Sequence, residues 1–363
     1  MKKICILVPT HWDFIMGGAQ YQAKILIDRL IQRGGYEIYY LANRVNPLIT
    51  PSEYKIVKIG DSVRFKYYRD APQLLGALRD IKPDVIWQHV GCAYTGIAAY
   101  YAKGCMCRFV WHIASDKEDV IPLKFSFSVK YFLQIIDKKI LEYGIRRSDA
   151  IIAQTKTQFD LLKLNYKLEP TSVIANFHPE PTECIEKSKK IKVLWVANFK
   201  RLKQPEIFIQ LAQELSDLKN VEFLMIGAAH VDVQWQQMQE EQISAIENLH
   251  YLGEMPQEEV NLLFAASHIL VNTSEYEGFS NTFIQAWMRK VPVLSLIVNP
   301  DNVFDNEFLG NCAFGSYQDL KKYTIEMITN DVKRERIGEQ AYVHALENYS
   351  MKNVDRLIEI LDQ

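Results

Sequence analysis

The chain has 363 residues, of which 48% are hydrophobic, and this is enough for two domains with cores of ordinary size. A formal net charge of −2 gives no general attraction to nucleic acid, so we predict no nucleic-acid partner. The sequence contains no run of about 18 apolar residues, the length that a membrane-spanning helix needs, and we predict no transmembrane helix.

The chain opens with an apolar run at residues 4–8, which predicts the first strand of a parallel sheet. No small-residue cleavage site follows this run, so a strand is a better interpretation than a signal peptide. Gly17 and Gly18 then precede apolar residues at helical spacing. Two glycines at the start of a helix either make a tight turn or bring backbone N–H groups against a diphosphate.

Further apolar runs predict strands at 37–41, 54–57, 85–87 and 109–113, with helices between them that include 73–80 and 93–102. This alternation is typical of parallel α/β domains. His112 comes at the end of one predicted strand, and ligands collect at the carboxyl ends of such strands. His112 therefore lies either at the mouth of a binding crevice or in a structural hydrogen bond, and His11 is a second candidate.

The cysteines are scattered, and only Cys105 and Cys107 lie close together in the sequence. A Cys-x-Cys pair without a second pair or neighbouring histidines is a weak metal motif. We therefore predict buried, reduced thiols, as in a cytoplasmic protein, and no metal site.

Residues 124–147 combine six lysines and arginines with interleaved aromatic and aliphatic residues, against one aspartate and one glutamate. Such a helix either lies on an anionic membrane surface or packs its apolar face in the core with its lysines in water. Both interpretations stay open at this point.

A boundary between two domains is predicted near residue 185. Apolar runs at 149–154 and 172–174 predict the last strands of the first domain, and two prolines and a charge cluster without periodicity follow. The domains are then residues 1–185 and 186–363, each with the same alternation of strands and helices.

The second domain begins with a predicted strand at 192–197 and a loop that carries Lys200, Arg201 and Lys203 before a helix. These cations are either solvated or fixed near an anionic ligand whose charge they neutralise. Two further predicted strands end in Gly227 and Gly253, and each glycine also fits an ordinary turn.

The most informative stretch runs from 272 to 287, between an apolar run and a helical pattern. A loop that turns from a strand into a helix presents backbone N–H groups suited to phosphate. Gly278 permits close approach of the backbone, and Ser280, Asn281 and Thr282 are good helix-capping residues. Glu277, just before this anion site, suits sugar hydroxyls or a developing positive charge. The alternative is an ordinary turn with a capping residue.

This stretch resembles the nucleotide-sugar loop of the family-4 retaining glycosyltransferases (glycosyl transferase group 1). That family carries Glu-Gly-Phe and a second Glu after seven intervening residues. Glu277, Gly278 and Phe279 match the first part, and Gln285 stands in place of the second Glu.

The resemblance extends to two other loops. Gly17 and Gly18 resemble the family's first glycine-rich loop, and Lys203 matches its lysine. Asn198 occupies the position of the family's arginine, for which Arg201 or Lys200 is the expected substitute.

The resemblance implies the GT-B fold, in which two Rossmann-like domains face each other across a cleft and a terminal helix, here about 349–363, crosses back to the first domain. The first domain would bind the acceptor and the second the nucleotide-sugar. The implied catalytic residues are Glu277, His112 and Lys203, and the implied donor-binding residues are Gly17, Gly18, Asn198, Arg201, Lys203, Gly227, Gly253, Gly278, Phe279, Ser280, Asn281 and Gln285.

The implied reaction is transfer of a sugar from a UDP- or GDP-sugar to a hydroxyl of a glycan or lipid-linked acceptor, with retention at the anomeric carbon. No cofactor is implied beyond this co-substrate, and since no Asp-x-Asp pair occurs, Lys203 and loop amides rather than a metal would neutralise the diphosphate. Cell-surface polysaccharide or glycolipid synthesis in the cytoplasm, on the inner membrane face if residues 124–147 meet lipid, is the expected context.

Three alternatives use related chemistry. A sugar-nucleotide epimerase on the same fold would release a free sugar nucleotide without an acceptor, and a catalytically silent protein would only bind the nucleotide-sugar. A glycogen-phosphorylase-like enzyme is less favoured because the chain is short and lacks an evident cofactor-lysine motif.

Overall fold

A computed structural model describes residues 1–63, 66–115, 121, 126–183, 185–305 and 308–363. The chain divides into two compact units. Unit 1 comprises Met1–Phe177 together with Lys352–Gln363, and unit 2 comprises His178–Met351. The division after Phe177 comes earlier than the boundary predicted near residue 185.

Unit 1 is built on a parallel sheet whose described part has seven strands in the order β3-β2-β1-β4-β5-β6-β7. The strands are β1 Lys2–Leu7, β2 Tyr36–Ala42, β3 Lys55–Lys58, β4 Val85–His89, β5 Arg108–His112, β6 Ala150–Ala153 and β7 Ser172–Val173. Residues 4–7 of β1 and all of β4 are buried, as the uninterrupted apolar runs predict for strands of a sheet covered on both faces.

The helices of unit 1 are α1 Gly18–Arg33, α2 Ala71–Ile81, α3 Ala93–Lys103, α4 Val129–Ile145 and α5 Lys156–Tyr166, with a 3-10 turn at Tyr67–Asp70. Helix α4 packs closely on α3. A Cβ atom added at Gly144 would lie only 2.5 Å from the backbone of Thr95. The segment Lys352–Asp362 forms a C-terminal helix of the same unit. Arg29 of α1 holds it through a two-pronged ion pair with Asp355, at 2.8 and 2.9 Å.

Unit 2 contains, in its described part, a parallel sheet of six strands in the order β10-β9-β8-β11-β12-β13. The strands are β8 Ile191–Val196, β9 Val221–Ile226, β10 Leu249–Tyr251, β11 Ile269–Asn272, β12 Val293–Ser295 and β13 Gly310–Cys312. The helices are α6 Pro205–Glu214, α7 Val233–Ser244, α8 Gln257–Ala266, α9 Asn281–Trp287, α10 Tyr317–Thr329 and α11 Asp331–Asn348, with 3-10 turns at Arg201–Lys203 and Pro300–Asn302. Trp195, Phe208 and Phe223 are among the largest buried side chains of its core.

The segment at 124–147 is divided between core and surface. Residues 124 and 125 lie outside the described residues. Lys138 is buried, so it does not belong to the basic surface that the sequence suggests, whereas Lys139 is exposed and pairs with Glu142. Large apolar side chains remain on the surface here, with Phe127 87% and Phe132 54% exposed. Across the described ranges, no helix is both long enough and apolar enough to cross a bilayer.

The thiols differ in their surroundings. Of the described cysteines, Cys5, Cys92, Cys107 and Cys312 are buried thiols outside any disulfide, as predicted, but Cys105 is exposed, and the prediction of burial is wrong for it. Cys184 lies outside the described residues. The described part of the chain holds no group of three or more His, Cys, Asp or Glu residues placed to bind a metal ion.

Candidate functional site

The candidate site lies at the carboxyl end of β11, in the middle of the sheet of unit 2. Strand β11 pairs with β8 on one side and β12 on the other, and its continuation, residues 273–280, leads into α9. The loop after β8 carries the 3-10 turn that ends at Lys203. Two loops from neighbouring strands therefore meet at this edge of the sheet, where open α/β sheets bind ligands.

The two loops are joined by an ion pair between Lys203 Nζ and Glu277 Oε1 at 2.9 Å. Both side chains are largely enclosed, with 20% of Lys203 and 16% of Glu277 exposed. Two hydrogen bonds to backbone carbonyls also join the loops. Thr273 Oγ1 donates to the carbonyl of Lys203 at 2.6 Å, and the N–H of Glu275 donates to the carbonyl of Leu202 at 2.9 Å. The ion pair is thus held in place by these hydrogen bonds as well as by the attraction of its charges.

The Glu277 carboxylate is surrounded by donors. Besides Lys203, its Oε1 accepts from Ser274 Oγ at 2.7 Å and from Asn272 Nδ2 at 2.9 Å. Burial on its own would raise the pKa of Glu277, but Lys203 and these two hydrogen bonds outweigh it and hold that pKa below its ordinary value. Glu277 is therefore ionised at neutral pH. The ion pair and both of these hydrogen bonds use the same carboxylate oxygen, Oε1.

The turn into α9 differs in detail from the prediction. Ser280 occupies the N-cap position, but its Oγ hydrogen-bonds Thr282 Oγ1 at 2.8 Å instead of capping a helical N–H. Helix α9 has only seven residues, so its dipole is smaller than that of a long helix. Phe279 is buried against Tyr349, with ring centroids 4.8 Å apart, and anchors the loop to the end of α11.

The ends of β8, β9 and β10 come together beside this loop. The N–H of Gly227 donates to the carbonyl of Gly253 at 2.9 Å, and Asn198 Oδ1 accepts from the N–H of Ala228 at 3.1 Å. Gly227 has φ +150°, and a Cβ atom there would lie 1.9 Å from the carbonyl oxygen of Ala197. Only glycine fits at such a close crossing of strand ends.

Arg201, offered by the sequence as a substitute for the family's arginine, is turned toward α7. Its guanidinium lies 3.4 Å from the Asp232 carboxylate and 5.2 Å from the ring centroid of Trp235. The side chain is exposed, and its carboxylate partner is not Glu277 but Asp232.

Gln285 lies on α9 and is 4% exposed. Its Nε2 donates to Asn261 Oδ1 of α8 at 3.2 Å, and its backbone carbonyl accepts from Arg289 Nη1 at 3.2 Å. Arg289 forms a buried ion pair with Glu183. These contacts hold Gln285 in a fixed orientation.

Unit 1 places its candidate residues in different surroundings. Gly17 is the N-cap of α1 and Gly18 its first residue, so both stand at a helix start as predicted. His112 ends β5 but is fully buried, and the expectation that it lies open at the mouth of a crevice is wrong for the described residues. Its ring centroid is 4.7 Å from that of His89 at the end of β4.

Burial keeps these histidines neutral. It lowers the pKa of His89 to about 4 and the pKa of His112 well below its ordinary value, with the neighbouring His89 as a second cause. His89 Nδ1 lies 3.0 Å from the carbonyl oxygen of His112, and because a carbonyl only accepts, Nδ1 carries the proton. His11 is also buried, with Nε2 3.0 Å from Tyr54 Oη and a pKa of about 4.

Sequence reasoning did not assign roles to Asn272, Ser274, Asn261 or His89. The first two stand between the strand and Glu277, where a run of Asn, Thr and Ser was itself a signal for side-chain support of a loop. Asn261 and His89 are distant in sequence from the residues they orient, and no local pattern marks them.

Two family models match the chain. The model described as glycosyl transferases group 1 matches residues 180–344, and that of glycosyltransferase family 4 matches residues 16–178. No curated protein matches the chain in sequence.

Solved structures are similar over nearly the whole chain. Anabaena HepE in complex with UDP-glucose is 15% identical, with 99% of this chain and 98% of that one covered and a TM-score of 0.77. Sucrose-phosphate synthase from Thermosynechococcus elongatus is 13% identical, with 99% and 98% covered and a TM-score of 0.75. A glycosyltransferase from Rickettsia africae is 15% identical, with 99% and 97% covered and a TM-score of 0.70. These likenesses confirm the predicted GT-B fold.

Proposed function

Because this chain belongs to the group 1 and family 4 glycosyltransferases, we propose that it transfers a sugar from a UDP- or GDP-sugar to an acceptor hydroxyl with retention at the anomeric carbon. The observation that carries this proposal is the enclosed pair of Lys203 and Glu277 at the carboxyl edge of the unit 2 sheet. UDP-glucose in the similar Anabaena structure supports a nucleotide-sugar donor.

Lys203 serves the leaving group. As the bond from the anomeric carbon to the diphosphate oxygen breaks, negative charge grows on the diphosphate. A fixed ammonium that is already desolvated stabilises that charge without reorganising. The loop amides of Gly278, Ser280 and Asn281 would add hydrogen bonds to the phosphates, and no metal is required in this proposal.

Glu277 serves the sugar. Its Oε1 is occupied by three donors, and its ionised state leaves Oε2 to accept a sugar hydroxyl or to face positive charge near the anomeric carbon. The new bond forms between the anomeric carbon and the acceptor oxygen, and the proton of the acceptor hydroxyl passes to the departing diphosphate oxygen. Lys203 thus acts on the negative charge of the leaving diphosphate, and Glu277 acts on the positive charge of the sugar.

The remaining predicted residues are proposed to hold the nucleotide and the donor. Asn198, Gly227 and Gly253 form the joined strand ends proposed for the base, and Gln285 is proposed for the ribose. Arg201, whose guanidinium lies near Asp232, is proposed to contact the nucleotide, and Phe279 to anchor the loop through its contact with Tyr349. In unit 1, the N–H groups at Gly17 and Gly18 are proposed to contact the donor.

The donor test uses UDP-, GDP- and ADP-sugars, with and without lipid-linked and glycan acceptors. Nucleotide release that needs an acceptor supports transfer, and NMR of the product should show the anomeric configuration of the donor. An epimerised sugar nucleotide formed without acceptor would favour the epimerase, and donor binding without turnover would favour a silent binding protein.

We also propose that the acceptor belongs to cell-surface polysaccharide or glycolipid synthesis and that unit 1 meets the cytoplasmic membrane face through residues 126–147. The exposed Phe127 and Phe132 support this, together with exposed Lys139. Anionic vesicles should bind the protein less well as salt rises.

The matched test of the membrane proposal is Phe127→Ser with Phe132→Ser. This double variant should lose vesicle binding but keep turnover of a water-soluble acceptor. Phe314→Ser, at a 74% exposed position of unit 2, should bind vesicles as the parent does. Equal binding by both variants would contradict the assignment.

A further inference from the structure

Helices α8 and α9 meet through three side-chain amides. Asn261 of α8 accepts at Oδ1 from Gln285 Nε2 of α9 at 3.2 Å. The same oxygen accepts from Gln257 Nε2, one turn earlier on α8, at 3.3 Å. Because Gln285 is buried, water competes little for these contacts.

The two hydrogen bonds to Asn261 define which way Gln285 presents its oxygen. An amide oxygen only accepts and an amide NH₂ only donates. Since Asn261 Oδ1 accepts from both glutamines, Gln285 turns its NH₂ toward α8 and its Oε1 away from Asn261. Asn261 is therefore a positioning residue that fixes the single accepting oxygen of Gln285.

On the basis of the proposed donor site, we propose that Asn261 and Gln285 form a neutral ribose contact that discriminates only weakly against 2′-deoxyribose nucleotides. A carboxylate at position 285 would accept from both ribose hydroxyls through charge-assisted bonds. The oriented amide instead accepts from one hydroxyl and donates to the other oxygen, and neither bond is charge-assisted. Deoxyribonucleoside-diphosphate sugars thus fall within the donor class of this chain.

The test is equilibrium binding of UDP against 2′-deoxy-UDP, and of GDP against 2′-deoxy-GDP, to the full chain. In the parent, loss of the 2′-hydroxyl should weaken binding about fivefold or less, the effect of one neutral hydrogen bond. In Gln285→Glu the same loss should weaken binding about tenfold or more, because the bond is now to a carboxylate.

Two variants of Asn261 separate positioning from packing. Asn261→Asp still accepts from Gln285 Nε2, so the ratio of the two affinities should stay at the parent value. Asn261→Leu removes the acceptor, and binding of UDP or GDP should weaken several-fold while the ratio approaches one.

The outcomes distinguish this inference from the proposed function on which it rests. If UDP or GDP binds but the parent discriminates more than about tenfold, or Gln285→Glu leaves the ratio unchanged, the neutral ribose contact is wrong and the donor site stands. If none of the four nucleotides binds, the donor site itself is wrong and this inference falls with it.

Discussion

The carboxyl edges of the two sheets both carry polar side chains, but their electrostatics are opposite. In unit 2, Glu277 keeps its charge because Lys203 is its partner and further donors surround the carboxylate. In unit 1, His89 and His112 are buried without an acidic partner among the described residues, and burial lowers the pKa of both. Enclosure therefore preserves charge at one edge and removes it at the other.

The difference shows what each edge can contribute to sugar transfer. Fixed charges that are already desolvated respond to charge that develops in a transition state. Neutral imidazoles supply directed hydrogen bonds whose strength does not change between pH 6.5 and pH 8. We expect large kinetic effects from changes in unit 2 and smaller, pH-linked effects on stability from changes in unit 1.

Lys203→Ala should produce the largest effect. Removal of one preorganised electrostatic group costs about 2–4 kcal/mol of transition-state stabilisation, or roughly 30- to 1000-fold. Most of the loss should appear in kcat, since diphosphate charge grows as the bond breaks. Steady-state kinetics on the donor measures this.

The control for this variant is Lys219→Ala, at an exposed lysine of the same unit. It should turn over donor as the parent does. Unchanged turnover in Lys203→Ala as well would remove Lys203 from the mechanism. Lys203→Ala should also move the acid limb of the pH–activity profile to higher pH. Burial raises the pKa of Glu277, and Lys203 is the main influence that lowers it.

Glu277→Gln should come next, with kcat reduced by about 10- to 100-fold. The amide keeps the shape of the side chain and an oxygen for Ser274, but removes the charge opposite Lys203. Thermal unfolding of the same preparation provides the contrast, and the melting temperature should change little. A large fall in melting temperature with nearly normal kcat would assign Glu277 a structural role instead.

His89→Asn tests how the buried histidines at the carboxyl edge of the unit 1 sheet affect stability. The unfolded chain protonates this histidine below its ordinary pKa of 6.5, whereas the folded chain does so only near pH 4. Folded-state stability is therefore full above pH 7 and falls as the pH drops from 6.5 to 4. Asn retains a donor for the His112 carbonyl and cannot titrate, so the variant should lose less stability over that range, by about 3 kcal/mol.

Urea unfolding at several pH values measures this difference, and the parent serves as control. Identical pH dependence in both proteins would mean that His89 is not the titrating group. Because His11 and His112 are also buried, the variant should reduce the acid sensitivity and not abolish it.

Much of this fold is readable from the sequence because each strand of a doubly covered sheet is a short apolar run. The strand at 4–8 and the helix after Gly17 and Gly18 illustrate this, since their patterns are local. The positions of Lys203 and Glu277 at loops after strands are local for the same reason. Their contact requires β8 and β11 to be neighbours, which the resemblance implied and composition did not.

What the sequence did not predict depends on packing between distant segments. Burial of His112 follows from the surrounding core and from the stacking of His89 and Trp87 near it. Lys138 of α4 is buried, and a lysine in a basic run carries no sign of such burial. Asn261 is found only when α8 and α9 are placed side by side.

Gln285→Ala should give the smallest effect, and its kinetic signature is the opposite of that of Lys203→Ala. The ribose is remote from the bond that breaks, so its contacts should be equal in the ground state and the transition state. Uniform binding of this kind changes KM and leaves kcat nearly constant. Loss of one neutral hydrogen bond, about 1 kcal/mol, corresponds to a rise of several-fold in the donor KM. Gln285→Glu should bind donor as well as the parent or better. Steady-state kinetics on both variants provides the measurement, and an unaltered KM in Gln285→Ala would show that Gln285 only packs between α9 and α8 and touches no ligand.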